Sequence, residues 1–293
     1  MRARLLITSA AVVVAVAACS SSGSKGAPPT TAPTSSTASE TTLGPTVSAP
    51  VTPITILVTN DDGYNAPGID TMVEALRKLP QVTVTVVAPK ANQSGTGGKT
   101  TSGVLNAQRL KTASGYPAYA VDGYPADTIR YAITSVLTSP PDVVVSGINN
   151  GQNVGPFIHI SGTVGAAEAA ANVGVPAIAV SQGFGNPPDF ASAARIVVDW
   201  ITAHRASYTG SAATRGDVVN INVPTCTAGS VRGVRQVPAA TDLAGRDINK
   251  VDCRSKIAAP SDDIDAFVAG FAAVTDLDAT GKTVTSTTIY NGS

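Results

Sequence analysis

The run Ile54-Thr55-Ile56-Leu57-Val58-Thr59 constrains the fold more than any other stretch, because every position in it is β-branched or apolar. A strand with one wet face alternates polar and apolar residues; one that does not alternate must be covered on both sides, as strands of parallel sheets flanked by helices are. The segments that follow keep that rhythm. A helix is predicted from about Ala66, with Pro67 in its first turn and Ile69, Val73, Leu76 and Leu79 at helical spacing, ending before Pro80. Further strands are predicted at 82–88, 119–121, 142–147 and 177–180, and further helices at 125–137, 164–173 and 191–201. The last third, with apolar runs at 218–223, 231–237, 266–275 and 284–290, reads as strand-rich. The expected fold is α/β: a doubly wound, mostly parallel, Rossmann-like sheet with a β-rich C-terminal subregion.

The N-terminal segment is of a different kind. Arg2 and Arg4 precede an apolar stretch over 5–18 that is short for a bilayer span and ends in Val16-Ala17-Ala18-Cys19, with Ser20-Ser21-Ser22-Gly23 after it. That is the pattern of a signal peptide, 1–18, and resembles a bacterial lipobox in which Cys19 receives lipid, the alternative being an ordinary secretory signal with a stray cysteine. Export follows, with anchoring to the extracytoplasmic face of the cell membrane through that lipid. Residues 19–52 are dominated by Ser, Thr, Pro, Gly and Ala, which cannot bury an apolar face, and read as a disordered tether; 53–293 remains as one domain. The formal net charge is +0, and losing Arg2 and Arg4 with the signal peptide brings it to about −2, so a nucleic-acid polymer is not an expected partner. With Cys19 lipidated, Cys226 and Cys253 are left in an exported chain. An oxidising compartment points to a disulfide between them, the alternative being two buried thiols.

In open parallel sheets ligands bind beyond the carboxyl ends of the strands. Three places qualify: Asn60-Asp61-Asp62-Gly63 after the first strand, Gln93-Ser94-Gly95 in the long loop after the second, and Gly147-Ile148-Asn149-Asn150-Gly151. Adjacent carboxylates at a strand end repel, so Asp61 and Asp62 suggest a cation between them; an isolated Asp-Asp-Gly is otherwise an ordinary turn. Hydroxyl and amide oxygens nearby are hard donors, which suit Mg²⁺, Mn²⁺ or Ca²⁺ rather than zinc. The loop ending in Ser161-Gly162-Thr163 runs into a helix and could hold a phosphate on its N–H groups, or simply cap the helix. A Walker lysine loop, a dinucleotide fingerprint and a serine-hydrolase elbow are all missing from the sequence.

Taken in order, these segments resemble the SurE family of metal-dependent phosphatases acting on nucleoside 5′- and 3′-monophosphates. The resemblance rests on Ile56 to Gly63 with Ala66-Pro67-Gly68-Ile69, Val86-Val87-Ala88-Pro89 with Gln93-Ser94-Gly95, Gly123-Tyr124-Pro125-Ala126-Asp127, Val145-Ser146-Gly147-Ile148-Asn149 with Gly151 and Asn153, and Ser161-Gly162-Thr163-Val164. It implies one divalent ion held by Asp61, Asp62, Ser94 and Asn149, and substrate contacts from Asn60, Asn153, Ser161, Gly162 and Thr163. Asp61 and Asp62 would be the catalytic pair, one of them attacking phosphorus or deprotonating water. It further implies a small phosphomonoester as substrate and a homodimer or dimer of dimers assembled through the C-terminal part. Lys99 stands where the family usually has a second serine, and His159 near the phosphate loop could protonate the leaving alcohol or be structural. The competing readings are a surface lipoprotein that binds a nucleotide or phosphate without turnover, and a phosphatase for sugar phosphates or short polyphosphate.

Overall fold

The computed structural model describes residues 51–209 and 216–284, all within one unit, Ala49–Ser293. The signal peptide, Cys19, nearly all of the tether and most of the run at 284–290 lie outside the described residues. Among the described residues one sheet holds nine strands: β1 (Ile54–Thr59), β2 (Val82–Pro89), β3 (Ala107–Lys111), β4 (Pro117–Val121), β5 (Val143–Asn150), β6 (Ala177–Gln182), β7 (Val218–Val223), β8 (Val234–Gln236) and β9 (Ala272–Leu277). Their spatial order is β3-β4-β2-β1-β5-β6-β7-β9-β8. All neighbours are parallel except β3 with β4 and β7 with β9. The sheet is thus mostly parallel, and the C-terminal strands β7, β8 and β9 extend it.

Apart from Thr55 at its amino end, which is exposed, both faces of β1 are covered, as its lack of alternation requires. Ile54, Ile56 and Val58 pack under α1 (Pro67–Leu76) and α4 (Phe190–Ala203), while Leu57 faces α2 (Pro125–Tyr131) and α3 (Gly162–Asn172). In α1 the stripe Ile69, Met72, Val73 and Leu76 is fully buried. At roughly 1.5–3 kcal/mol per buried apolar side chain, that stripe outweighs any intrinsic propensity of a ten-residue helix. Gly68 lets the first turn of α1 close on β5, since a side-chain carbon there would fall 1.9 Å from the Ile148 carbonyl.

The structure departs from the sequence reading chiefly in three places. The helix predicted over 125–137 is α-helical only to Tyr131 and continues as a π-helix, Ala132–Val136. Ile133, Thr134 and Val136 are stiff at χ1, and the Thr134 hydroxyl donates back to the Arg130 carbonyl at 2.9 Å, competing with the regular ladder. The strand expected over 266–275 is instead α6 (Asp263–Val268) followed by β9. Asp262 caps α6 by accepting the Asp265 N–H at 2.9 Å, and Ile264 and Phe267 pack with Val154 and Phe271 in a third apolar cluster. Strand β3, polar and lying at the sheet edge, is an additional element.

Cys226 and Cys253 are joined by a disulfide, their Cα atoms 5.8 Å apart. His204 closes α4 with its Nδ1 2.9 Å from the Trp200 carbonyl and its ring stacked on Trp200. From the short helix α5 (Arg205–Tyr208), Arg205 donates to the Thr52 and Pro80 carbonyls at 2.7 and 3.0 Å. The first of these bonds fastens the segment leading into β1 and the second the segment leading into β2. No helix among the described residues is long and apolar enough to cross a membrane.

Candidate active site

The turn after β1 is shaped by Asn60, whose side chain is fully buried. Its amide donates to the Gly63 carbonyl at 3.0 Å and accepts the Gly63 N–H at 3.2 Å. Gly63 takes φ +111°, a backbone that favours glycine. Asn60, expected to touch substrate, therefore builds the turn that aims the next two residues. The Tyr64 N–H reaches the Pro89 carbonyl at the end of β2, and the Asp61 carbonyl accepts the Gln93 N–H at 2.7 Å. Those two bonds lay the long loop after β2 alongside the carboxylates.

Asp61 and Asp62 face different walls. Asp61 is 2% exposed, and its Oδ1 accepts the Thr163 hydroxyl at 2.6 Å. Gly162, the first residue of α3, is pressed against the same carboxylate: a side-chain carbon there would lie 2.8 Å from Asp61 Cβ and 2.9 Å from Oδ2. The amino end of α3, where backbone N–H groups carry partial positive charge, thus abuts a buried anion. Ser161 caps the helix by accepting the Val164 N–H at 3.1 Å. Asp62 is half-buried and lies between the other two loops. Its Oδ1 accepts from Asn92 Nδ2 at 3.2 Å and its Oδ2 from the Asn150 N–H at 3.3 Å.

Ser94 and Asn149 stand one step from those contacts. The Ser94 N–H donates to Asn92 Oδ1 at 2.9 Å, and the Ser94 side chain is exposed. Asn149 turns its Nδ2 to the Gly151 carbonyl at 2.6 Å, which leaves its amide oxygen as the group to offer a cation. Among the described residues no cluster of three or more His, Cys, Asp or Glu could hold a metal. The residues around the turn offer two carboxylates together with the neutral oxygens of Ser94 and Asn149, donor types that fit a hard divalent ion.

The electrostatics point the same way. Burial pushes the Asp61 carboxyl up from 3.8 to about 6, the Thr163 hydroxyl pulls it back, and the neighbouring Asp62 charge pushes it further up. Burial raises Asp62 as well, against the Asn150 and Asn92 donors. The named hydrogen-bond donors to both carboxylates are neutral, so the pair carries the cost of two adjacent charges that only dipoles offset.

Asn153 makes its contacts with β6 and β7. It is 8% exposed and clamped against the sheet: its N–H donates to Asn222 Oδ1 at 2.7 Å, its Nδ2 to Ser181 Oγ at 2.9 Å, and its carbonyl accepts from Asn220 and Asn222. Its role here is to fix the loop between β5 and α3. His159 is exposed in the last turn of the 3₁₀ helix Gly155–Ile160, and Lys99 is also exposed. The supporting residues Asn92, Asn150, Asn220 and Asn222 were missed by sequence reasoning. The alternation Asn220-Ile221-Asn222 was the available signal, since two amides on one face of a buried strand must find partners.

The family model described as "Survival protein SurE" matches residues 56–248. The 5′-nucleotidase SurE of Methylococcus capsulatus is 35% identical over 235 residues, 76% of this chain and 90% of that protein. The 5′-nucleotidase SurE of Syntrophobacter fumaroxidans is 38% identical over 183 residues, 61% of this chain and 70% of its own. Among solved structures, the SurE protein from Aquifex aeolicus aligns with a TM-score of 0.63 at 29% identity, covering 77% of this chain and 93% of that one.

Proposed function

That the chain belongs to the SurE family, and is a hydrolase of phosphoric monoesters, is the premise from which we propose that it removes phosphate from nucleoside 5′-monophosphates, and from 3′-monophosphates, with a divalent ion. The observation that carries the reading is the pair Asp61 and Asp62 at the carboxyl end of β1, one carboxylate pressed on the amino end of α3 and the other between the loops of Ser94 and Asn149. Asp61, Asp62, Ser94 and Asn149 would hold the ion, Mg²⁺ or Mn²⁺, with Ca²⁺ able to take the same oxygens. When bound, the ion supplies Lewis acidity at the phosphoryl oxygens and neutralises the adjacent carboxylates.

The chain's own groups do the rest. Thr163 holds Asp61 in one orientation and favours its ionised form, which the chemistry requires whether a carboxylate attacks phosphorus or takes a proton from water. Asp62, half-buried, is the carboxylate that substrate reaches. The N–H groups at the start of α3, beside Ser161, Gly162 and Thr163, are the donors suited to non-bridging phosphoryl oxygens, because the helix dipole adds to each bond. Asn60 and Asn153 support this arrangement by holding the two loops that carry it.

Phosphate release from a panel of nucleoside monophosphates, with Mn²⁺ or Mg²⁺ and with chelator, tests the reading. Turnover is expected with metal, lost on chelation and lost in Asp61→Asn. A folded protein with no turnover under any divalent ion would defeat it. The proposal extends to export with a lipid on Cys19 and to a homodimer or dimer of dimers, which membrane fractionation and sedimentation would test.

A further inference from the structure

Strand β6 passes to α4 through residues 183–189, and this loop is fastened on both sides. The Gly183 N–H donates to the Val223 carbonyl at 2.7 Å, the Thr225 hydroxyl donates to the Gly183 carbonyl at 2.5 Å, and the Phe184 N–H donates to Gln152 Oε1 at 3.4 Å. The Gly151 N–H reaches back to the Gln182 carbonyl at 2.8 Å, so the loop after β5 and the loop after β6 are tied together. On this fixed backbone Phe184 is 64% exposed. The tip of its ring rests over Gly151: a side-chain carbon at Gly151 would lie 2.6 Å from Cζ and 2.8 Å from Cε1.

Gly151 is the residue after Asn150, whose N–H bonds Asp62 at 3.3 Å. Neighbouring groups therefore lead from the Asp62 carboxylate through Asn150 and Gly151 to an exposed aromatic ring. A single exposed apolar residue on a surface is ordinary. This one differs because hydrogen bonds hold its loop in place and the missing side chain at Gly151 makes room for the ring, beside an anion-handling centre.

We infer that Phe184 is the platform on which the base of a nucleotide substrate stacks. The inference deepens the nucleotidase reading and rests on it. A flat, uncharged π-surface next to a phosphoryl site suits a phosphomonoester whose far end is also flat and aromatic. Every base has a π-face, so stacking tolerates all four. Phenylalanine also offers no hydrogen-bonding atom that could tell one base edge from another. The ring thus contributes to binding nucleotides as a class, and contributes nothing to a phosphomonoester that lacks a base.

The experiment compares the full chain with Phe184→Ala and Phe184→Trp on AMP, GMP, CMP, UMP and ribose 5-phosphate under one divalent ion. Phe184→Ala should lose about 5- to 100-fold in kcat/KM on each nucleotide, mostly through KM, and leave ribose 5-phosphate unchanged. Phe184→Trp should keep the wild-type nucleotide values or better them. An equal loss on ribose 5-phosphate, or unchanged values on every nucleotide, overturns the platform while leaving the nucleotidase reading intact. A wild-type protein that hydrolyses ribose 5-phosphate but no nucleotide overturns both.

Discussion

Replacing Asp61 by Asn should abolish turnover and at the same time make the metal-free protein more stable. The carboxyl is raised from 3.8 to about 6 by burial, the Thr163 hydroxyl opposing and the Asp62 charge adding. Between those two values the folded chain holds a proton that the unfolded chain has released. Stability therefore falls as pH rises through the window, is unaffected by this group below about 4, and carries the full cost above about 6. At about 1.36 kcal/mol per pH unit the cost is about 3 kcal/mol at pH 8. Asn keeps the shape and an oxygen for the Thr163 hydroxyl but carries no charge. Urea melts of metal-free wild type and Asp61→Asn at pH 8, 7, 6, 5 and 4 should show the variant ahead by about 3 kcal/mol at pH 8, with the gap about halved at pH 5 and nearly closed at pH 4. Saturating Mn²⁺ should reverse the order, because only the wild type gains from binding. A variant no more stable than wild type at pH 8, or a gap that does not change with pH, would refute the claim that this carboxylate is held at a cost.

Thr163→Val removes the hydroxyl that donates to Asp61 at 2.6 Å, and should cost about 1.5–3 kcal/mol at pH 8 in the same melts. Gly162→Ala puts a carbon 2.8 Å from Asp61 Cβ, and the displaced carboxylate should lower kcat about 100-fold with an unchanged far-UV circular dichroism spectrum. Breaking the Cys226–Cys253 bridge, which spans 27 residues, by a double serine substitution should lower stability by about 3–4 kcal/mol in denaturant melts, matching the effect of reductant on wild type. Cys19→Ala should move the protein from the membrane fraction to the soluble fraction of the exporting cell; unchanged sedimentation with membranes would count against lipidation.

How much was readable in advance depended on whether the deciding interaction was local. Ile54–Thr59 is a strand at the predicted bounds because its side chains are β-branched or apolar throughout and five of the six are buried, on both faces of the pleat. The loops after β1, β2 and β5 meet around Asp62, a convergence readable in advance because parallel topology fixes which strand ends open on the same side. The segment 266–275 misled because Phe267, Val268 and Phe271 look strand-like, while the deciding feature was the Asp262 cap. Strand β3 escaped because Gln108, Arg109 and Lys111 are polar and β4 alone holds it at the edge. The pairing of Thr163 with Asp61, 102 residues apart, is set by how α3 packs and has no local signature. The same is true of Asn153, whose partners Ser181, Asn220 and Asn222 lie on two other strands.

The Arg205 clasp on Thr52 and Pro80 has a mechanical consequence. Thr52 precedes the amino end of β1, whereas Asp61 and Asp62 follow its carboxyl end, so the strand's whole length separates the clasp from the two carboxylates. Tension applied through the N terminus would load the guanidinium clasp and the base of the sheet in shear. A pull resisted at that clasp would reach the turn of Asp61 and Asp62 only through the full length of β1.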